Sequence, residues 1–153
     1  MKKNFRMMAI LLLVMFTLTG CGSKTALTTD EFKTVSEDNS YVITDVTNQY
    51  AMYDYVTEAT VAQSSDGWQV EFYVLSDEAY ASSMFDNNKN IFEGYKGSSS
   101  VEGSTTMGNY ETYSLTSDGY YMYLCRVDNT LFYVRVEDDY KDAVKNLAEE
   151  LGY

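Results

Sequence analysis

Histidine is absent from the 153 residues. That removes Ser-His-Asp and Cys-His catalysis and His-ligated zinc together. Cysteine is scarce, with only Cys21 and Cys125, too few for a thiolate metal cage. No glycine-rich phosphate loop occurs. Basic residues are few: 11 Lys and Arg stand against 23 Asp and Glu, for a formal net charge of −12. A phosphate backbone needs a basic face, so nucleic acid is excluded as a partner. The same charge disfavours lying flat on an anionic lipid surface. Beyond residue 20 there is no further hydrophobic span.

What is present begins at the first residues. Lys2, Lys3 and Arg6 precede an almost unbroken apolar stretch over residues 7–18. The stretch is too short for a typical transmembrane helix and has the layout of a secretory signal. It ends in Leu18-Thr19-Gly20-Cys21, which resembles the lipobox of bacterial lipoproteins. In that family a diacylglycerol is attached to the cysteine sulfur, and a dedicated peptidase cuts just before the cysteine. The resemblance implies that residues 1–20 are removed. Cys21 becomes the lipid attachment site and first mature residue, held at the extracytoplasmic face of the cell membrane. The Glu31-Phe32-Lys33 stretch and WQVEFYVLSDEAYA (68–81) resemble small lipoproteins of low-GC Gram-positive bacteria, a likeness that transfers no activity. Losing three basic residues with the signal makes the remainder more acidic still. With Cys21 lipidated, Cys125 has no partner for an intramolecular disulfide. It lies in YYMYLCRV (120–127), where a cysteine behaves as a small buried hydrophobe.

Residues 21–27 form a short tether, able to reach roughly 25 Å at most. Residues 28–153 fit one domain. Thr28 and Glu31 read as a capping box, starting a helix that carries Phe32 and Val35. Strands are expected at 41–48, 56–63 and 68–75. A four-residue loop at 64–67 would oppose Val61 with Val70 and Ala59 with Phe72. Trp68, Val70, Phe72 and Val74 then share one face. Ser76 is placed to cap a helix whose inner stripe is Ala81, Met84, Phe85, Asn88 and Phe92. Residues 96–107, rich in Gly, Ser and Thr, read as a loop.

A meander follows, with strands at 109–116, 120–127 and 131–137. A three-residue turn at 117–119 would pair Leu115 with Tyr121 and Tyr113 with Tyr123. A two-residue turn at Asp128-Asn129 would pair Tyr123 with Val134, Cys125 with Phe132 and Tyr121 with Val136. One face then collects Tyr113, Leu115, Tyr121, Tyr123, Cys125, Phe132, Val134 and Val136. The other, with Met122, Leu124, Arg126, Leu131 and Tyr133 among others, looks mixed and solvated. Asp138 or Asp139 is expected to cap a last helix with apolar side Tyr140, Val144, Leu147, Ala148 and Leu151, closed by Gly152. The expected fold is α+β, in the order α-βββ-α-βββ-α. Its antiparallel sheet has five or six strands with helices on one face.

Chemistry-bearing patterns are weak. Residues 86–90 match an EF-hand at three positions but put Ile91 where Gly is needed and Gly97 where Glu is needed. Glu137, Asp138, Asp139 and Asp142 read as helix capping. Tyrosine is abundant, at 15 residues, and all lie after the signal. It gives broad amphipathic contact area suited to protein or glycan binding. Tyr113, Tyr121 and Tyr123 have core roles; Tyr50, Tyr53, Tyr55, Tyr120 and Tyr133 are the candidates for a binding surface. The expectation is a non-enzymatic, membrane-anchored binding or accessory module for an envelope protein or extracellular ligand. It has no catalytic residue, metal or cofactor. A carboxylate-pair hydrolase acting on cell-wall or glycan substrate is one alternative. A structural or inhibitory surface protein is another.

Overall fold

The capping box forms as the sequence predicts. In the computed structural model, which describes residues 22–153, Glu31 N–H donates to Thr28 Oγ1 at 3.2 Å and Thr28 N–H donates to Glu31 Oε2 at 2.8 Å. The expected signal segment and Cys21 lie outside the described residues. Helix α1 spans Thr29–Asp38 and buries Phe32. Strands β1 (Val42–Asp45), β2 (Val56–Gln63) and β3 (Gln69–Leu75) follow, with a 3-10 turn at Thr47–Tyr50 between the first two. Helix α2 is Glu78–Glu93. Strands β4 (Val101–Met107), β5 (Tyr110–Ser117), β6 (Tyr120–Val127) and β7 (Thr130–Glu137) precede α3 (Lys141–Leu151). The fold is α+β, with seven strands in one antiparallel sheet ordered β1-β2-β3-β7-β6-β5-β4.

The seventh strand corrects the expected five or six. Residues 101–107, read as loop, form β4, which is exposed along its whole length. No helix covers it, so no apolar alternation was selected. It is held by its ladder with β5, from Val101 opposite Thr116 to Met107 opposite Tyr110. A strand of this kind carries no hydrophobic period to read.

Helices on one face is a second correction. Phe32 of α1 and Val144, Leu147, Ala148 and Leu151 of α3 pack over Val70, Phe72, Cys125, Phe132, Val134 and Val136. Ala81, Phe85 and Phe92 of α2 pack on the opposite face over Leu75, Tyr113, Leu115, Met122, Leu124 and Leu131. The connection from β3 to the far-edge β4 carries α2 over the second face, and the meander back brings β7 beside β3.

Two hairpins turn one residue tighter than expected, and the second of them brings Tyr113 and Leu115 to the α2 face. Ser64 N–H donates to Trp68 O at 2.8 Å, so the loop is Ser65-Asp66-Gly67. The register sets Ala62 against Val70 and Thr60 against Phe72, not Val61 and Ala59. Ser117 opposes Tyr120, so Asp118-Gly119 is a two-residue turn, with φ of 50° and 82°. Both residues are left-handed, as a type I′ hairpin needs, and aspartate tolerates that region better than most. Leu115 therefore opposes Met122, and Tyr113 opposes Leu124. Tyr113 and Leu115 move to the α2 face. A slip of one residue exchanges faces for the whole strand. The third hairpin pairs as expected: Tyr123 with Val134, Cys125 with Phe132 and Tyr121 with Val136.

Smaller features complete the frame. Asp77, one residue after Ser76, caps α2 by accepting from Tyr80 N–H. Asn88 meets its polar requirement within α2, donating to Met84 O at 2.8 Å. Residues Asp138–Tyr140 form a 3-10 turn, and no side chain caps α3. Gly152 closes α3 at φ 79°, and Tyr153 folds back into the core. Arg126, 4 % exposed, donates from Nη1 to Glu78 Oε1 at 3.1 Å and from Nη2 to Glu111 Oε1 at 2.8 Å. This ties α2 to β5 and β6.

Candidate tyrosine cleft

Among the described residues a cleft lies where the 3-10 turn and the loop after it meet the first turns of α2. Tyr53 N–H donates to Tyr50 O at 2.7 Å and Val56 N–H to Tyr53 O at 3.0 Å. These bonds coil the chain so that Tyr50, Tyr53 and Tyr55 converge. Ser76 N–H donates to Tyr55 O at 2.9 Å, fixing that loop to the start of α2. The Tyr55 ring stacks on Tyr80, with centroids 4.9 Å apart and planes at 11°. Tyr53 tilts against Tyr55 at 5.7 Å.

The cavity has a volume of about 460 Å³ and is lined by Tyr50, Tyr53, Tyr55, Val56, Tyr80, Ser83, Met84 and Asn87. That size lies in the range of small-ligand sites. The lining holds no carboxylate, lysine or arginine. Aromatic faces form the wall, and the Ser83 hydroxyl and Asn87 carboxamide, one helical turn apart, add polar groups. Four of the lining residues come from α2 at positions 80, 83, 84 and 87. That is a helical stripe beside the buried one, and it lines the cleft because α2 packs on the second face of the sheet.

One wall of the cleft is braced from below. Tyr50 meets Tyr73 edge-on, with centroids 5.4 Å apart at 87°, and their hydroxyls lie 2.7 Å apart. Tyr73 O–H donates to Glu71 Oε2. Burial, with the Glu71 carboxylate added, pushes the Tyr73 hydroxyl far above the ordinary tyrosine range. Tyr73 is therefore a fixed neutral donor beneath the cleft.

Of the five expected surface tyrosines, Tyr50, Tyr53 and Tyr55 are brought together here. Tyr133 is not: it packs against Phe92 at 5.3 Å, and burial raises its pKa. Tyr120 sits near the opposite end of the sheet, where Arg135 stacks between Tyr95 and Tyr120, 4.7 Å from each ring. Cys125 is buried, and desolvation pushes its thiol to about 11. The EF-hand lookalike at 86–90 lies inside α2. Among the described residues no group of three or more His, Cys, Asp or Glu could hold a metal ion.

No family model matches the chain, and no curated protein matches it. A crystal structure of a GTP binding regulator from Thermotoga maritima is similar at 18 % identity, covering 82 % of this chain and 88 % of that one with a TM-score of 0.48.

Proposed function

We propose that this protein is a lipid-anchored, extracytoplasmic binding module. Cys21 carries the anchor, and the tyrosine cleft takes up part of a protein or glycan ligand. The observation that carries the binding half is the cleft itself. Its wall is aromatic, its polar groups are neutral hydroxyls and a carboxamide, and its lining holds no carboxylate, lysine, arginine or cysteine to activate them. Such a surface suits an apolar side chain or the flat face of a sugar. A glycosidase would need two facing carboxylates about 5 to 10 Å apart across the cavity, and the lining supplies none. The anchoring half rests on the Leu18-Thr19-Gly20-Cys21 motif. Among the described residues no helix is long and apolar enough to cross a membrane. Anchoring would raise the local concentration of the cleft near membrane-bound partners.

The anchor is tested by metabolic labelling with a clickable fatty acid. Cys21→Ser should abolish the label and leave uncleaved precursor. A label that survives the change contradicts the anchor. Binding is tested by capture of partners from the native membrane. Tyr53→Ala and Tyr55→Ala should reduce capture while leaving the label intact, and unchanged capture contradicts the cleft.

A further inference from the structure

Residues 22–27 are not a free leash. The Asn109 carboxamide grips the Lys24 backbone from both sides: Lys24 N–H donates to Asn109 Oδ1 at 3.0 Å, and Asn109 Nδ2 donates to Lys24 O at 2.9 Å. Asn109 Nδ2 also donates to Asp128 Oδ1 at 2.9 Å, which fixes the carboxamide. Lys24 Nζ donates to Gly152 O at 2.7 Å, at the C-terminal end of α3, where the helix dipole favours a cation. The same ammonium lies 5.2 Å from the Tyr110 ring centre. Leu27 N–H donates to Tyr153 Oη at 3.2 Å, and Ala26 and Leu27 pack on the core. Two glycines let the strap and the β4–β5 turn pass closely. A Cβ on Gly108, whose φ is 56°, would fall 2.1 Å from Gly22 O.

We infer that this strap is a rigid mount. It turns one end of the sheet, the end bearing the Met107, Gly108 and Asn109 turn, toward the lipid surface. The inference rests on reading Cys21 as lipidated, since Cys21 is covalently next to Gly22 and its lipid enters the bilayer there. Met107, 48 % exposed, stands beside that exit. The same end of the sheet holds the Asp128-Asn129 turn. Leu75 N–H donates to Asn129 O at 2.8 Å, and Val56 opposes Leu75. The tyrosine cleft is therefore at the membrane end too. It lies four strands across from β5, about 20 Å away, on the opposite face from the strap. The turns at 65–67 and 118–119 lie a strand length further out, roughly 25 Å. Acidity works against adsorption to anionic lipid, so the orientation comes from the mount and not from surface attraction. A ligand of the cleft is then one presented at membrane height.

The test uses the full lipidated protein in vesicles of phosphatidylethanolamine and phosphatidylglycerol that carry nitroxide-labelled acyl chains. A fluorophore is attached at Thr106→Cys, near the mount, or at Asp66→Cys, at the far end; buried Cys125 does not compete. Quenching should be several-fold stronger at position 106 than at 66. In Asn109→Ala the contrast should collapse, with flotation on the vesicles and circular dichroism unchanged. Equal quenching at both positions in protein that floats overturns the mount alone. A contrast that survives Asn109→Ala overturns the role of the carboxamide clamp. Protein that does not float overturns the anchor, and the mount with it.

Discussion

The two faces of the sheet are built from the same strands yet differ in kind. The face under α1 and α3 is the more closed. Phe32 stacks on Phe72 at 4.8 Å, Tyr153 lies against Phe72 and Phe132, and Trp68 stacks on Tyr140. The face under α2 is only partly closed. One helix packs on it, buried Arg126 pairs with Glu78 at the start of that helix, and the tyrosine cleft opens beside the first turns of α2. Both faces stabilise the fold; the second leaves the larger room for a ligand. A lone helix over a sheet this wide leaves more of it open: the tyrosine cleft holds about 460 Å³, against about 220 Å³ for the groove lined by Tyr41, Trp68 and Tyr140 on the first face.

The largest expected effect tests whether the α2 face is a true core. Arg126→Ala should cost about 3–5 kcal/mol, because it removes the buried side chain that joins α2 to β5 and β6 and leaves the partly buried Glu111 carboxylate without its partner. Urea denaturation measures it, and a loss near zero would make that corner solvated. Leu124→Ala comes next, at about 3 kcal/mol by the same measurement. It should match the penalty for a comparable truncation under α3. A solvated face would give a change within about 0.5 kcal/mol.

Asp118→Val should cost about 1–2 kcal/mol, because a β-branched residue is placed at positive φ. If the turn were the looser three-residue form, the cost would fall. Thr28→Ala should remove about 1 kcal/mol through the lost cap. Hydrogen bonds from the Thr28 backbone and hydroxyl hold Glu31 below the usual carboxylate range. Its share of the cap is present above the unfolded pKa and fades as pH falls through the folded one.

Smallest at neutral pH is the tyrosine effect. Burial raises Tyr113, Tyr121 and Tyr153 to about 12, on both faces of the sheet. The unfolded chain ionises near pH 10, so the stability these residues supply is intact below that pH. It is lost as pH rises toward 12. Tyrosinate absorbance and near-ultraviolet circular dichroism should change together over that window.

The sequence made the helices readable, since caps and stripes are local: Thr28 with Glu31, Ala81 with Phe85 and Phe92, Gly152 at the end of α3. The third hairpin was readable because the Asp128-Asn129 turn admits one register. The second core was not. Expecting the turn after β5 one residue too long put Tyr113 and Leu115 on the wrong face and made Met122, Leu124 and Leu131 look like surface. The strip of β4 was hidden for the opposite reason, because nothing covers it. For the site, the tyrosines at 50, 53 and 55 were visible as a cluster. Tyr80, Ser83, Met84 and Asn87 complete the cleft only because α2 crosses to the second face, which no local pattern reports.

The most direct measurement is photo-cross-linking in the native membrane. A benzophenone amino acid replaces Ser83, inside the cleft, or Asn146, on the exposed side of α3. The account predicts a discrete adduct from position 83, lost in Tyr55→Ala, and none from position 146. Equal adducts from both positions, or none from position 83, would contradict it.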